Sequence, residues 1–72
     1  MTTTNGKYQR HLQIEGKECV IHYDGVAYWV MLRASRLTKG NPLALARNEN
    51  QQQAIAVATE ALRLAAKRGT EL

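Results

Sequence analysis

Asp24-Gly25 sits between two stretches of aromatic, β-branched and alternating residues, and this arrangement constrains the chain more tightly than any other feature. A two-residue type I′ turn needs positive φ at both central positions, which Asp-Gly tolerates, so the dipeptide predicts a hairpin. Its strands are Cys19 to Tyr23 and Val26 to Ala34, with Tyr23 facing Val26, Ile21 facing Tyr28 and Cys19 facing Val30. Upstream, Tyr8 to Ile14 alternates: Tyr8, Arg10, Leu12 and Ile14 fall on one side, Gln9, His11 and Gln13 on the other. Gly16-Lys17, with glycine first, suits a type II′ turn. That turn sets Glu15 opposite Glu18, Ile14 opposite Cys19, Leu12 opposite Ile21 and Arg10 opposite Tyr23. Both registers gather the apolar side chains on one face, which Tyr28, Val30 and Leu32 extend.

Ser35 to Pro42 is rich in turn formers and reads as a connection, after which Leu43 to Arg47 forms a short fourth strand. Asn48 with Gln51 three residues on has the spacing of a capping box. A helix is predicted from about Glu49 to Arg68, with Gly69 as its left-handed cap. Ile55, Ala58, Leu62 and Ala65 make one apolar stripe and Ala54, Val57, Ala61 and Leu64 an adjacent one, together a wide face to lay on the sheet. The fold class is α+β: a three- to four-stranded antiparallel sheet built of hairpins, with one C-terminal helix packed on one face. Residues 8–69 form a single domain between a disordered tail at 1–7 and a short tail at 70–72.

The 72 residues bury a core of modest size, so a deep catalytic cleft is not expected. Ten Lys and Arg against six Asp and Glu give a formal charge of +4, which favours acidic or nucleic-acid partners. Cys19 is the single cysteine, which excludes an internal disulfide and suits a reducing, cytoplasmic compartment. No stretch approaches the roughly 18 apolar residues of a membrane span, and neither a signal peptide nor an anchor is expected.

Catalytic chemistry finds no footing. Cys19 faces the core, and Ser35 lies at a strand end without an acid beside it, so neither reads as a nucleophile. Glu15 and Glu18 flank a turn in water, where nothing separates their pKa values for acid and base roles. Gly16, Gly25 and Gly40 are isolated turn glycines rather than a phosphate-cradling loop. His11 and His22 fall opposite each other in the predicted register, yet a third metal ligand is missing, because Cys19 points to the other face and Asp24 lies past the strand end. The expectation is a non-enzymatic protein without a metal, a cofactor or a small-molecule substrate.

Binding is better supported. The sheet face turned away from the helix receives His11, Gln13, Val20, His22, Ala27, Trp29, Met31 and Arg33. A solvated strand face normally carries Thr, Lys and Glu, so Trp29 beside Met31 and Val20 marks an interaction patch, unless Trp29 folds over an edge or under the Leu43 segment as core. Arg33, Arg36 and Lys39 adjoin that patch, whereas Arg63, Lys67 and Arg68 complement the helix dipole. The expected partner-binding surface is Val20, His22, Trp29, Met31, Arg33, Arg36 and Lys39. Arg33, Arg36, Lys39 and Arg47 are the candidates for nucleic-acid contact. Trp29→Ala, or charge reversal at Arg33 or Arg36, is expected to cut partner binding while leaving the fold intact.

Three antiparallel strands and a helix resemble double-stranded-RNA-binding domains and the DNA-binding arm domains of some phage integrases, both of which place basic residues on the reading surface. Here the helix begins near Asn48-Glu49-Asn50-Gln51-Gln52-Gln53 instead of a lysine-rich turn, and the sheet face has one arginine. The whole chain, from Met1-Thr2-Thr3-Thr4 to the alanine-rich helix before Gly69, resembles short phage host-takeover proteins, the Xanthomonas phage family of antitermination factors that bind host RNA polymerase. That resemblance implies docking on the amino-terminal part of the largest polymerase subunit near the RNA exit channel, beside nascent RNA. It also implies inhibition of host promoter use and suppression of termination. A phage inhibitor of another host system, such as CRISPR interference, has the same outward character.

Overall fold

In the computed structural model, residues 8–72 are described, and the tail expected at residues 1–7 lies outside them. Strands β1 (Tyr8–Ile14), β2 (Lys17–Tyr23), β3 (Tyr28–Leu32) and β4 (Leu43–Asn48) form an antiparallel meander in the order β1-β2-β3-β4. One helix, α1 (Gln51–Arg68), follows and packs against it, so the chain is α+β as the alternation and the helical period require. Among the described residues no helix is long and apolar enough to cross a membrane.

The first turn is Glu15-Gly16, not Gly16-Lys17. Both residues have positive φ, 51° and 77°, the sign pattern of type I′, and Ile14 pairs with Lys17, Leu12 with Cys19 and Arg10 with Ile21. This register removes the Glu15–Glu18 pairing, which would have opposed two carboxylates, and puts glycine at the second turn position. The Asp24-Gly25 turn is also wider than expected: Tyr23 pairs with Tyr28, so the loop holds four residues and β3 begins at Tyr28 instead of Val26. The Asp24 carboxylate explains it. Its Oδ1 accepts from the amides of Val26 at 2.8 Å and Ala27 at 2.9 Å, which holds the loop open as an Asx turn while Tyr23 and Tyr28 meet with ring centroids 4.7 Å apart. Each register differs from expectation by two residues, and because strand side chains alternate with period 2, the paired residues of β2 and β3, and of β1 from Gln9 onward, keep their predicted faces.

Between β3 and β4 a single 3₁₀ turn, Arg36–Thr38, interrupts the expected plain connection. Ser35 is buried; its Oγ accepts from the Leu37 amide, and the Thr38 hydroxyl donates to the carbonyl oxygens of Ser35 and Asn41. In β4 the pairing slips between Val30 and Met31, making Leu45 the extra residue of a bulge. Asn48 stays in the strand opposite Tyr28, so the helix cap falls to Asn50, whose side chain accepts from the Gln53 amide at 3.1 Å. Asn48 supports it by accepting from the Asn50 amide. Gly69 caps the other end at φ 75°.

The helix lies over β4 and β3 and reaches β1, where Arg63 Nε sits 3.3 Å from Glu15. Ala54, Ala58 and Leu62 are buried against Ile14, Cys19, Ile21, Val30 and Leu32. The alanines bring helix and sheet close together. Val57 and Leu64, assigned from sequence to the apolar face, are instead 50% and 47% exposed, because the buried stripe follows the 54-58-62 line and leaves them on its flank. Residues 70–72, expected as a tail, lie against the body: the Thr70 amide donates to the Ala65 carbonyl at 2.8 Å, and Leu72 packs on the core.

Candidate partner-binding face

Among the described residues, one helix packs on a four-stranded sheet and covers one of its faces. The pairings order the other face into rows running across the strands. One row is Gln9, His22, Trp29 and Arg47; the next is His11, Val20, Met31 and Ala44. A third comprises Gln13, Glu18 and Arg33, joined by the Arg33 amide donating to the Glu18 carbonyl. The middle of this outer face is apolar and its margins are cationic or polar.

Gln9, Val20, His22, Met31, Arg33 and Pro42 enclose an open groove of about 350 Å³ on this face. Four of the expected partner-binding residues, Val20, His22, Met31 and Arg33, therefore lie together. His22 Nδ1 is buried there and makes no hydrogen bond, a condition that leaves its desolvation unrecovered. The guanidinium of Arg33 is 3.6 Å from the Glu18 carboxylate, and both side chains are largely in water.

Trp29 is half-buried and does not belong to the core cluster. Its indole Nε1 donates to Asp24 Oδ2 at 2.7 Å, and the Arg47 guanidinium lies 5.3 Å from the ring centroid, within cation–π range. The same Trp29 N–H, ahead of the Ala27 and Val26 amides, holds the Asp24 carboxyl well below the usual carboxylate range. Trp29 is thus held at both its N–H and its ring face.

Three other expectations change. His11 faces Val20, and His22 faces Gln9 on one side and Trp29 on the other, so the two histidines are not opposed. Ala27 belongs to the loop and is fully buried, not part of the outer face. The basic cluster divides: Arg33 lines the groove, but Arg36 ion-pairs with Glu71 at 2.7 Å beside the end of α1. Lys39 is exposed at φ 55°, closing the 3₁₀ turn. Arg47, expected only as a nucleic-acid contact, stands over Trp29.

Alternation puts Gln9 on the side of His11 and Gln13; sequence reasoning missed Pro42 and Ala44 as members of this face, and the tie between Asp24 and Trp29. The Asp24-to-Trp29 spacing spans a turn widened by Asp24 itself. Cys19 is buried, which pushes its thiol pKa up, with a smaller opposing effect from a backbone hydrogen bond at Ile14. Among the described residues no three His, Cys, Asp or Glu side chains assemble as a possible metal site. Compared with protein-family models, curated proteins and solved structures, the chain matches none.

Proposed function

We propose that the protein is a non-enzymatic docking domain that engages a macromolecular partner through the outer face of its sheet. The observation that carries this reading is the uncovered apolar centre of Val20, Met31 and Ala44 between Arg33, Arg47, His11 and His22. A sheet face left to water normally carries polar residues at its centre, and an apolar centre with a polar margin is the anatomy of an interface. The partner proposed for it is host RNA polymerase, near the RNA exit channel of its largest subunit. That choice rests on the resemblance to phage antitermination factors; binding there would inhibit promoter use and suppress termination in the host cytoplasm.

The test is affinity capture from bacterial lysate, with and without nuclease, using wild-type protein and a Met31→Ala, His22→Ala double variant. Polymerase subunits retained after nuclease treatment by wild type, and lost at least tenfold by the double variant, are the expected result. Retention that disappears with nuclease assigns the face to nucleic acid. Equal retention by both proteins refutes docking through this face.

A further inference from the structure

We infer that the groove bounded by Gln9, Val20, His22, Met31, Arg33 and Pro42 receives an acidic protein segment, with one aliphatic side chain on the apolar floor and a flanking carboxylate on Arg33 and His22. This deepens the docking reading above and rests on it. Three observations point to the occupant. Val20, Met31 and Pro42 give the groove a floor that favours an aliphatic group over a polar one. Its wall includes His22, whose imidazole puts a polar group beside the apolar floor. The one charged residue lining the groove is Arg33, and Glu18 meets that cation only through a solvent-exposed contact of 3.6 Å.

Arg33 is available to a new partner. Its contact with Glu18 is long and solvent-exposed, and such pairs contribute about 0–1 kcal/mol, so an incoming carboxylate can replace Glu18 with little loss. The other partner of suitable charge, single-stranded RNA, needs open aromatic faces for base stacking. The Trp29 ring is overlaid by Arg47, and the Tyr23 and Tyr28 rings lie tilted against each other at 35°. Charge and shape together therefore select an acidic peptide with an aliphatic residue.

The probe is the synthetic peptide acetyl-Gly-Asp-Asp-Leu-Asp-Asp-Gly-amide, titrated into the ¹⁵N-labelled full chain and followed by amide chemical shifts. Saturable shifts centred on Val20, His22, Met31 and Arg33 are expected. Replacing the peptide's leucine by alanine should weaken binding about tenfold, the scale of losing one seated aliphatic side chain. Arg33→Glu should abolish it, and Glu18→Gln, which frees Arg33, should strengthen it roughly two- to threefold, a gain that a merely structural role for Arg33 does not give. Absence of shifts at the peptide's solubility limit, equal binding of the alanine peptide, or tighter binding of an oligo-uridine at the same amides each overturns the inference. The two readings fail separately. If the peptide does not bind while the Met31→Ala, His22→Ala variant still loses its polymerase, the acidic-segment inference falls and outer-face docking stands. If the peptide binds as described while that variant keeps its polymerase, the inference stands and the docking reading falls.

Discussion

Leu62 and Leu64 are the same residue two positions apart on one helix, and truncating each to alanine measures how α1 is rotated on the sheet. Leu62 is 4% exposed, within a cluster that includes Ala58, Ile14 and Cys19. Removing its side-chain carbons should cost both the transfer free energy and a residual cavity, about 3 kcal/mol in a range of roughly 2–5. Leu64 is 47% exposed, so it has about half a leucine's burial to lose and solvent fills the space. Its loss should stay below about 1 kcal/mol, offset in part by the better helix propensity of alanine. A domain of this length has roughly 4–11 kcal/mol of stability in total, so Leu62→Ala removes a large share of it. Thermal unfolding followed by circular dichroism should show Tm lower by roughly 10–25 °C for Leu62→Ala, and by no more than about 8 °C for Leu64→Ala. Equal losses would refute this rotation of the helix; a larger loss at Leu64 would put the 57-61-64 flank in the interior.

Asp24 should make the fold acid-sensitive. Its carboxyl is held well below the usual range by the Trp29 N–H and two loop amides, so its contribution is fully present above the unfolded carboxylate pKa near 4 and is lost as pH falls below that value toward the folded pKa. Tm measured from pH 7 downward should therefore fall more steeply below about pH 4 for wild type than for Asp24→Asn, and parallel curves would remove Asp24 as a cause. Gly16→Ala should destabilise by about 1 kcal/mol through backbone strain alone, since its φ is 77° and no atom lies where the new Cβ would stand; an unchanged urea midpoint would contradict the positive-φ turn. Cys19 should react with a thiol reagent only on unfolding, and fast labelling of the native protein would show that the sheet opens there. Arg36→Glu should leave partner affinity within about twofold while Arg33→Glu reduces it about tenfold or more, because Arg36 is paired with Glu71 away from the groove; equal losses would return Arg36 to the binding surface.

The faces of the sheet were legible in the sequence and its registers were not. Alternation assigns Leu12, Ile14, Cys19, Ile21, Val30 and Leu32 to one side irrespective of the turn that joins the strands, and all of them do pack together. The turn type decides the pairing, and turn chemistry is more ambiguous: Gly16 can stand first or second in a two-residue loop, and Asp24 can enter a tight turn or cap a wider one with its side chain. Capping residues show the same ambiguity. Asn48 and Asn50 are two positions apart and equally able to cap, and the choice falls to Asn50 because Asn48 still pairs with Tyr28. At the binding face, Val20, His22, Met31 and Arg33 could be read from alternation, but the departure of Arg36 could not, because it depends on Glu71, far along the chain.

The uncovered face follows from topology as much as from its residues. A meander of four strands leaves its one helix free to lie on either face, and the choice depends on which face is apolar enough to bury. Ile14, Cys19, Ile21, Val30 and Leu32 supply a continuous apolar layer, whereas the opposite face interrupts Val20, Met31 and Ala44 with His11, His22, Arg33 and Arg47. Burying that second set under a helix would take two arginine charges out of water, at a desolvation cost of several kcal/mol per charge that the long Arg33–Glu18 contact and the Trp29 ring do not offset. The arginines therefore keep the helix off the outer face, and the same arginines leave it suited to an acidic partner. Replacing Arg33 and Arg47 by leucine should remove this constraint, producing a protein that self-associates through the outer face as its concentration rises, measurable by sedimentation; a variant that stays monomeric would show that the charges do not govern what this face can meet.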